Sequence, residues 1–218
     1  MSGAVISNVR PLSLDDAEAL GRLPDVEAVV PTVQGNAAAE GNGRSRRTTV
    51  LGVGPRMPEV LQMRPAIGRF LPRDESGGGR AFAVLGAKVR SELYGEASPL
   101  GERVRIGGEP YRVIGVMEPK GQVLGFDLDD SVFIPVSRAL AMFNRESLME
   151  IDLLYRPEAD GARVAEQARA LLERRHGSED FTITTQDQMM EVLGSVLDVL
   201  TLSVGALGGI SLAVGGIG

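Results

Sequence analysis

Asp127, Asp129 and Asp130 crowd three carboxylates into four residues. Oxygen ligands this close can hold Ca²⁺, and paired acids can serve a hydrolase. The spacing misses the EF-hand pattern and lacks its closing bidentate Glu, so a solvated acidic turn is expected. The single His176 sits in Glu173-Arg174-Arg175-His176-Gly177, which reads as the last turn of a helix with Gly just past its end. There the imidazole serves as a cation at the negative end of the helix dipole rather than as a base. Arg44-Ser45-Arg46-Arg47 is a basic knot that could meet lipid phosphate or nucleic acid; a run this short is expected to cap a solvated hairpin. Ser76-Gly77-Gly78-Gly79 has no Gly-Lys-Ser/Thr after it, and Pro55 interrupts Gly52-Val53-Gly54, so neither fits a nucleotide loop. Met189 and Met190 read as an adaptable packing surface. No catalytic, cofactor-binding or metal-binding residue is assigned.

Composition closes further classes. Among 218 residues, 23 Lys plus Arg face 29 Asp plus Glu, so no dense cationic surface exists for nucleic acid. The absence of Cys removes disulfides, thiol nucleophiles and thiolate metal sites. With 43% hydrophobic and 24% charged residues, the chain has the apolar content to fold, as one large domain or two small ones.

The elements that must position these groups follow from local pattern. Ser13 with Asp16 predicts a capped helix running to about Leu23, stopped by Pro24. Val26 to Val33 is rich in β-branched residues and predicts a strand; Gly35 to Gly43 is small and polar; a strand resumes from Thr48 to Val53. Pro55, Pro58, Pro65 and Pro72 cut the next stretch into short pieces. A strand over Arg80 to Leu85, a helix over Ala87 to Tyr94 and a hairpin turning through Gly107-Gly108-Glu109-Pro110 come next. Lys120 to Asp130 reads as a loop, and Ser131 to Pro135 as a strand leading into a helix capped by Ser137. Strands over Ile151 to Tyr155 and Phe181 to Thr184 flank a helix from about Asp160 to His176, whose Val164, Ala168, Leu171 and Leu172 form one apolar stripe. Thr185 with Gln188 predicts a capping box for a terminal helix.

The last twenty residues, Val199 to Gly218, carry no ionisable side chain. About twenty residues suffice to cross a hydrocarbon layer of roughly 30 Å. Gly205, Gly209 and Ala213 recur every four residues, the spacing by which small residues pack membrane helices closely. Continuous with Gln186 to Asp198, this helix would be about 50 Å long, so its outer third is expected to be a stalk. The sequence stops inside the apolar segment, as a cut within a membrane helix would leave it. Met1 to Ile6 is too short for a signal-peptide core, so an upstream targeting element is expected if the folded part lies outside the cytoplasm.

The joint order of several short stretches carries a resemblance. They are Arg10-Pro11-Leu12-Ser13-Leu14-Asp15-Asp16, Leu23-Pro24-Asp25-Val26, Gly68-Arg69-Phe70, Val84-Leu85-Gly86, Leu93-Tyr94-Gly95 and Pro99-Leu100-Gly101. Tyr111 to Val116, Pro119-Lys120-Gly121, Asp129 to Pro135 and Ser211 to Gly218 complete the set. In that order the chain resembles the periplasmic core domain of MacB-type ABC transporter permeases, joined to an FtsX-like membrane region. The resemblance implies an α+β domain between the first and second transmembrane helices. Residues 1–54 and 131–185 would form a porter-like α/β subdomain, 55–130 an inserted small mixed (Sabre-like) subdomain, and 186–218 the stalk and the start of the second transmembrane helix. It implies a part without an ATPase motif or cofactor of its own that transmits ATP-driven motion to substrate efflux. The implied setting is the cytoplasmic (inner) membrane, the folded domain facing the periplasm or extracellular side. The implied partners are an ABC ATPase domain or subunit, a second permease copy as a homodimer, a periplasmic adaptor with an outer-membrane channel, and the lipid bilayer. The alternative is a membrane-tethered binding or hydrolytic domain that uses Asp127, Asp129 and Asp130.

Overall fold

The computed structural model describes residues 3–73, 79–123, 126–178, 181–185, 188–190 and 194–197. The expected membrane stripe of Gly205, Gly209 and Ala213 lies outside them. Among the described residues no helix is long and apolar enough to cross a membrane.

The chain opens with β1 (Gly3–Leu12), a strand that its mixed composition does not announce. It leads into α1 (Leu14–Leu20), where the expected capping box is present: Asp16 N donates to Ser13 Oγ at 3.1 Å and Ser13 N to Asp16 Oδ2 at 3.0 Å. β2 (Val26–Gly41) and β3 (Arg44–Val53) form a hairpin through Asn42-Gly43, whose φ values of 51° and 71° are those a two-residue primed turn requires. β2 thus runs eight residues past the expected Val33. The cause is an alternation of small with polar residues: Gly35, Ala37, Ala39 and Gly41 face helices, while Gln34, Asn36, Ala38 and Glu40 alternate with them. A Cβ on Gly35 would lie 2.3 Å from the Phe143 ring, and one on Gly41 2.6 Å from the Tyr94 hydroxyl. The small residues are sites of helix packing, not of turn.

Short elements follow: α2 (Met57–Val60), β4 (Pro65–Gly68), β5 (Phe82–Leu85), α3 (Ala87–Tyr94), β6 (Arg103–Ile106) and β7 (Glu109–Met117). The stretch expected as a loop carries a two-strand ribbon, β8 (Gln122–Val123) with β9 (Phe126–Asp127). Then come β10 (Ser131–Pro135), α4 (Val136–Met142), β11 (Leu148–Tyr155), α5 (Gly161–His176) and β12 (Phe181–Thr185). Ser137 does not cap α4. The helix starts two residues earlier than a Ser137 cap would set it, behind Pro135, whose φ of −56° already sets the entry.

Ten strands share one sheet, in the order β12-β1-β11-β2-β3-β10-β5-β7-β4, with β6 bonded to both β7 and β2. That double pairing closes a ring, β2-β3-β10-β5-β7-β6, into a six-stranded barrel. Val50, Leu85, Val104, Ile106, Tyr111, Val113, Val132 and Ile134 fill one continuous core cluster with the helix-facing residues. A second cluster, Leu51, Val84, Met117 and Phe133, lies on the opposite face under Met57, Met63, Leu71 and Leu128. The ring takes β2, β3 and β10 from the two outer sequence segments and β5, β6 and β7 from 55–130. Beyond it, β12-β1-β11 continue as an open sheet with α1 and α5 against one face. Ala4 pairs with Thr185 at its free edge, so the chain enters and leaves this half at adjacent points.

Candidate functional site

The acidic cluster is committed to the fold. Asp129 accepts the backbone amides of Lys120 at 2.8 Å and Gly121 at 3.1 Å. Asp127 accepts the Asp130 amide at 3.1 Å, and Asp130 pairs with Lys88 at 3.0 Å and with Arg46. The three carboxylates diverge to hold a loop, a helix and a strand, which corrects the hydrolytic or cation-binding alternative. Among the described residues no group of three His, Asp or Glu side chains gathers to hold a metal. The basic knot is accounted for in the same network: Arg46, 13% exposed, bridges Asp130 and Glu92, and Arg44 Nη1 donates to the Glu92 carbonyl at 3.0 Å.

His176 ends α5 ahead of Gly177, which takes the left-handed cap at φ 77° as its sequence foretells. Its partner was not legible. Asp16, the capping acid of α1, lies 3.1 Å from His176 Nε2 and 2.5 Å from Arg175 Nε. Burial alone would raise the Asp16 carboxyl. Hydrogen bonds from Arg175, from the Ser13 hydroxyl and amide and from His176 outweigh it and hold the group well below the usual carboxylate range. The Ser13 hydroxyl donates to Asp16 at 2.7 Å, so this is a latch between two helix ends and not a nucleophile with its base. The sequence signal was present, one acid at the third helical position and one cation at a helix end, but 160 residues separate them.

A second acidic pair has the opposite character. Glu150 and Asp152 lie two apart on β11, on the face away from α1 and α5, both half-buried. Burial pushes the Asp152 carboxyl up to about 7, with the Glu150 charge adding to it, and burial raises Glu150 as well. Two acids inside the apolar run Leu148 to Tyr155 were the available signal.

At the end of β12 the expected capping box is in place: Thr185 N donates to Gln188 Oε1 at 3.1 Å and Gln188 N to Thr185 Oγ1 at 3.3 Å. Residues 188–190 and 194–197 are helical. Met189, Met190, Val196 and Leu197 are exposed on them, so the two methionines are not packed against the domain.

A closed barrel is fused to an open sheet that the chain enters and leaves at adjacent points, with ion pairs tying elements together. Residues 2–171 match the MacB-like periplasmic core domain, and the chain belongs to that family. It is 35% identical over 211 residues to the macrolide export ATP-binding/permease protein MacB of Shewanella sp. (strain W3-18-1), covering 96% of this chain and 33% of that protein. It is 32% identical over 212 residues to the pyoverdine export ATP-binding/permease protein PvdT of Pseudomonas savastanoi pv. phaseolicola, covering 95% and 32%. The chain thus spans about a third of the length of these curated relatives. The fold is shared with the periplasmic region of MacB from Actinobacillus actinomycetemcomitans, at TM-score 0.77 and 20% identity over 88% of this chain and 92% of that one. It is shared also with the extracellular domain of the ABC-type transporter YknZ from Gram-positive bacteria, at TM-score 0.71 and 19% identity over 84% and 99%.

Proposed function

We propose that the chain is the extracytoplasmic part of an ABC-type export permease and carries ATP-driven motion from the membrane into the export path. The observation that carries this reading is the pairing of Ala4 with Thr185 at the free sheet edge. The connections into β1 and out of β12 leave side by side, and Thr185 and Gln188 form a capping box where the outgoing one begins. In this reading a displacement of the segment beyond Thr185 reaches β12 and passes through β1 and β11 into the barrel. The names of the MacB and PvdT relatives support an ATP-binding/permease export protein as the whole.

In this reading residues 186–218 are the stalk and the start of a transmembrane helix, with Gly205, Gly209 and Ala213 as its packing stripe. The membrane is the cytoplasmic one, and the partners are an ABC ATPase, a second permease copy, and a periplasmic adaptor with an outer-membrane channel. The porter-like segments 1–54 and 131–185 and the Sabre-like segment 55–130 work as two lobes that share the barrel. Gly194 is the first residue of the helical stretch 194–197 and has open space around it. Inserting two residues after it in the whole transporter is expected to abolish export while the cytoplasmic ATPase rate stays as it was. Unchanged export would reject the model.

A further inference from the structure

On the outer face of the barrel Arg103 and Arg112 stand directly opposite one another across the β6–β7 hairpin. The Val113 amide donates to the Glu102 carbonyl at 2.9 Å. That bond puts the next pair, Arg103 with Arg112, in the non-hydrogen-bonded position, where cross-strand side chains come closest. Like charges set directly opposite repel. Nothing along the outward row relieves them: Arg105 faces Pro110 on one side and Glu40 of β2 on the other, while Val104, Ile106, Tyr111 and Val113 are buried inside. Among the described residues no carboxylate comes within ion-pair distance of either guanidinium, in a chain where acids outnumber bases 29 to 23. Arg46, Arg56, Arg163 and Arg175 each have a carboxylate partner. Arg112 Nε donates to the Gly101 carbonyl at 3.4 Å beside a recess of about 450 Å³. Ala81, Gly101 and Pro110 line the recess with the two arginines.

We propose that this recess binds a phosphate-class oxyanion, one tetrahedral group straddled by the forks of Arg103 and Arg112. Guanidinium forks match phosphate oxygens two at a time, and an anion between them converts a repulsive pair into two charge-assisted contacts. The same chemistry is offered by a soluble phosphate ester and by a phospholipid head group.

The test is thermal unfolding of the 218-residue chain with added inorganic phosphate against sodium chloride of equal ionic strength. Phosphate at ten times its Kd is expected to raise Tm by about 4 °C, saturably, while chloride does not. Arg103→Gln and Arg112→Gln each abolish that rise. In phosphate-free buffer each also raises Tm slightly, by relieving the repulsion, which loss of a merely structural arginine would not do. A rise that chloride reproduces, or that both variants keep, overturns the proposal. With the phosphate response established, repeating it on the chain inserted in phosphatidylcholine and in phosphatidylglycerol vesicles separates the sources. A response present in the first and absent in the second assigns a lipid head group that already fills the recess; a response in both assigns a soluble phosphate ester.

Discussion

The two halves of the sheet are built from similar strands and end differently. In the barrel every strand of the ring has a neighbour on each side, and β6 returns to β2, so no edge is left within it. Among the described residues β12 is the edge of the other half, where α1 and α5 lie against one face and α2 reaches β11. The barrel is cored on the inside and, along β3, β10, β5 and β7, on the outside as well. The open half is held by a single core layer and by the latch of Asp16 with Arg175 and His176. Under the proposed function, a load entering at Ala4 and Thr185 meets the half with the single core layer first and the closed ring after it.

The largest effect expected from this contrast is in the barrel wall. Phe133 is fully buried between strands β3 and β5 and stacks at 6.0 Å from Phe70 of the covering segment. Phe133→Ala should cost about 4 kcal/mol by leaving a cavity between the barrel wall and the segment that covers it. Urea transitions followed at the barrel and at the open half should shift together, as in a single two-state transition. The next effect is in the open half. Asp16→Asn removes the charge that pairs with Arg175 and lies beside His176 Nε2, for a loss of about 3 kcal/mol. Hydrogen exchange should locate the damage: faster in α1 and α5, unchanged in β3 and β10. Equal loss of protection in the barrel would show that the two halves are not mechanically distinct.

How much of this could be read in advance follows the range of the interactions involved. The α5 boundaries, the Ser13 and Thr185 capping boxes and the Gly107-Gly108 turn are set by residues within four positions of one another, and all are where their pattern puts them. β2 was cut short at Val33 because Gly35, Ala37, Ala39 and Gly41 look like turn residues until Phe143 and Tyr94 are laid on them. Period-two placement of small residues is the signal, and it puts glycine on a strand face that other side chains cover. Barrel closure was invisible for a stronger reason. The Glu40 to Arg105 pairing joins residues 65 positions apart through strands that carry no mark of their partner, and it depends on the twist of four intervening strands. Asp127, Asp129 and Asp130 drew attention by crowding, but their partners Lys120, Lys88 and Arg46 decide what they do. The latch at Asp16 and the pair at Asp152 were each half legible, since a single acid announces its charge and not its surroundings.

The smallest effect separates those two acids by sign. Asp16 is held low in the folded state, so the stability it supplies is present above an unfolded carboxylate value of about 4 and is lost as pH falls through its depressed folded value. Asp152 is raised from 3.8 to about 7 by burial and by Glu150. Below about pH 4 both states of Asp152 are protonated and it costs nothing; from there to pH 7 the unfolded chain releases the proton while the folded chain keeps it, and the penalty grows until both are ionised. Asp152→Asn removes that slope. At pH 8 the variant should be more stable than the parent by about 2 kcal/mol, less than the full shift implies because the face is only half-buried and water screens it. At pH 4 the difference should vanish. Urea midpoints at the two pH values measure both numbers. A variant that is less stable at pH 8 would mean that a cation neutralises Asp152 in solution, and that the open half carries a second covered face like that of the barrel.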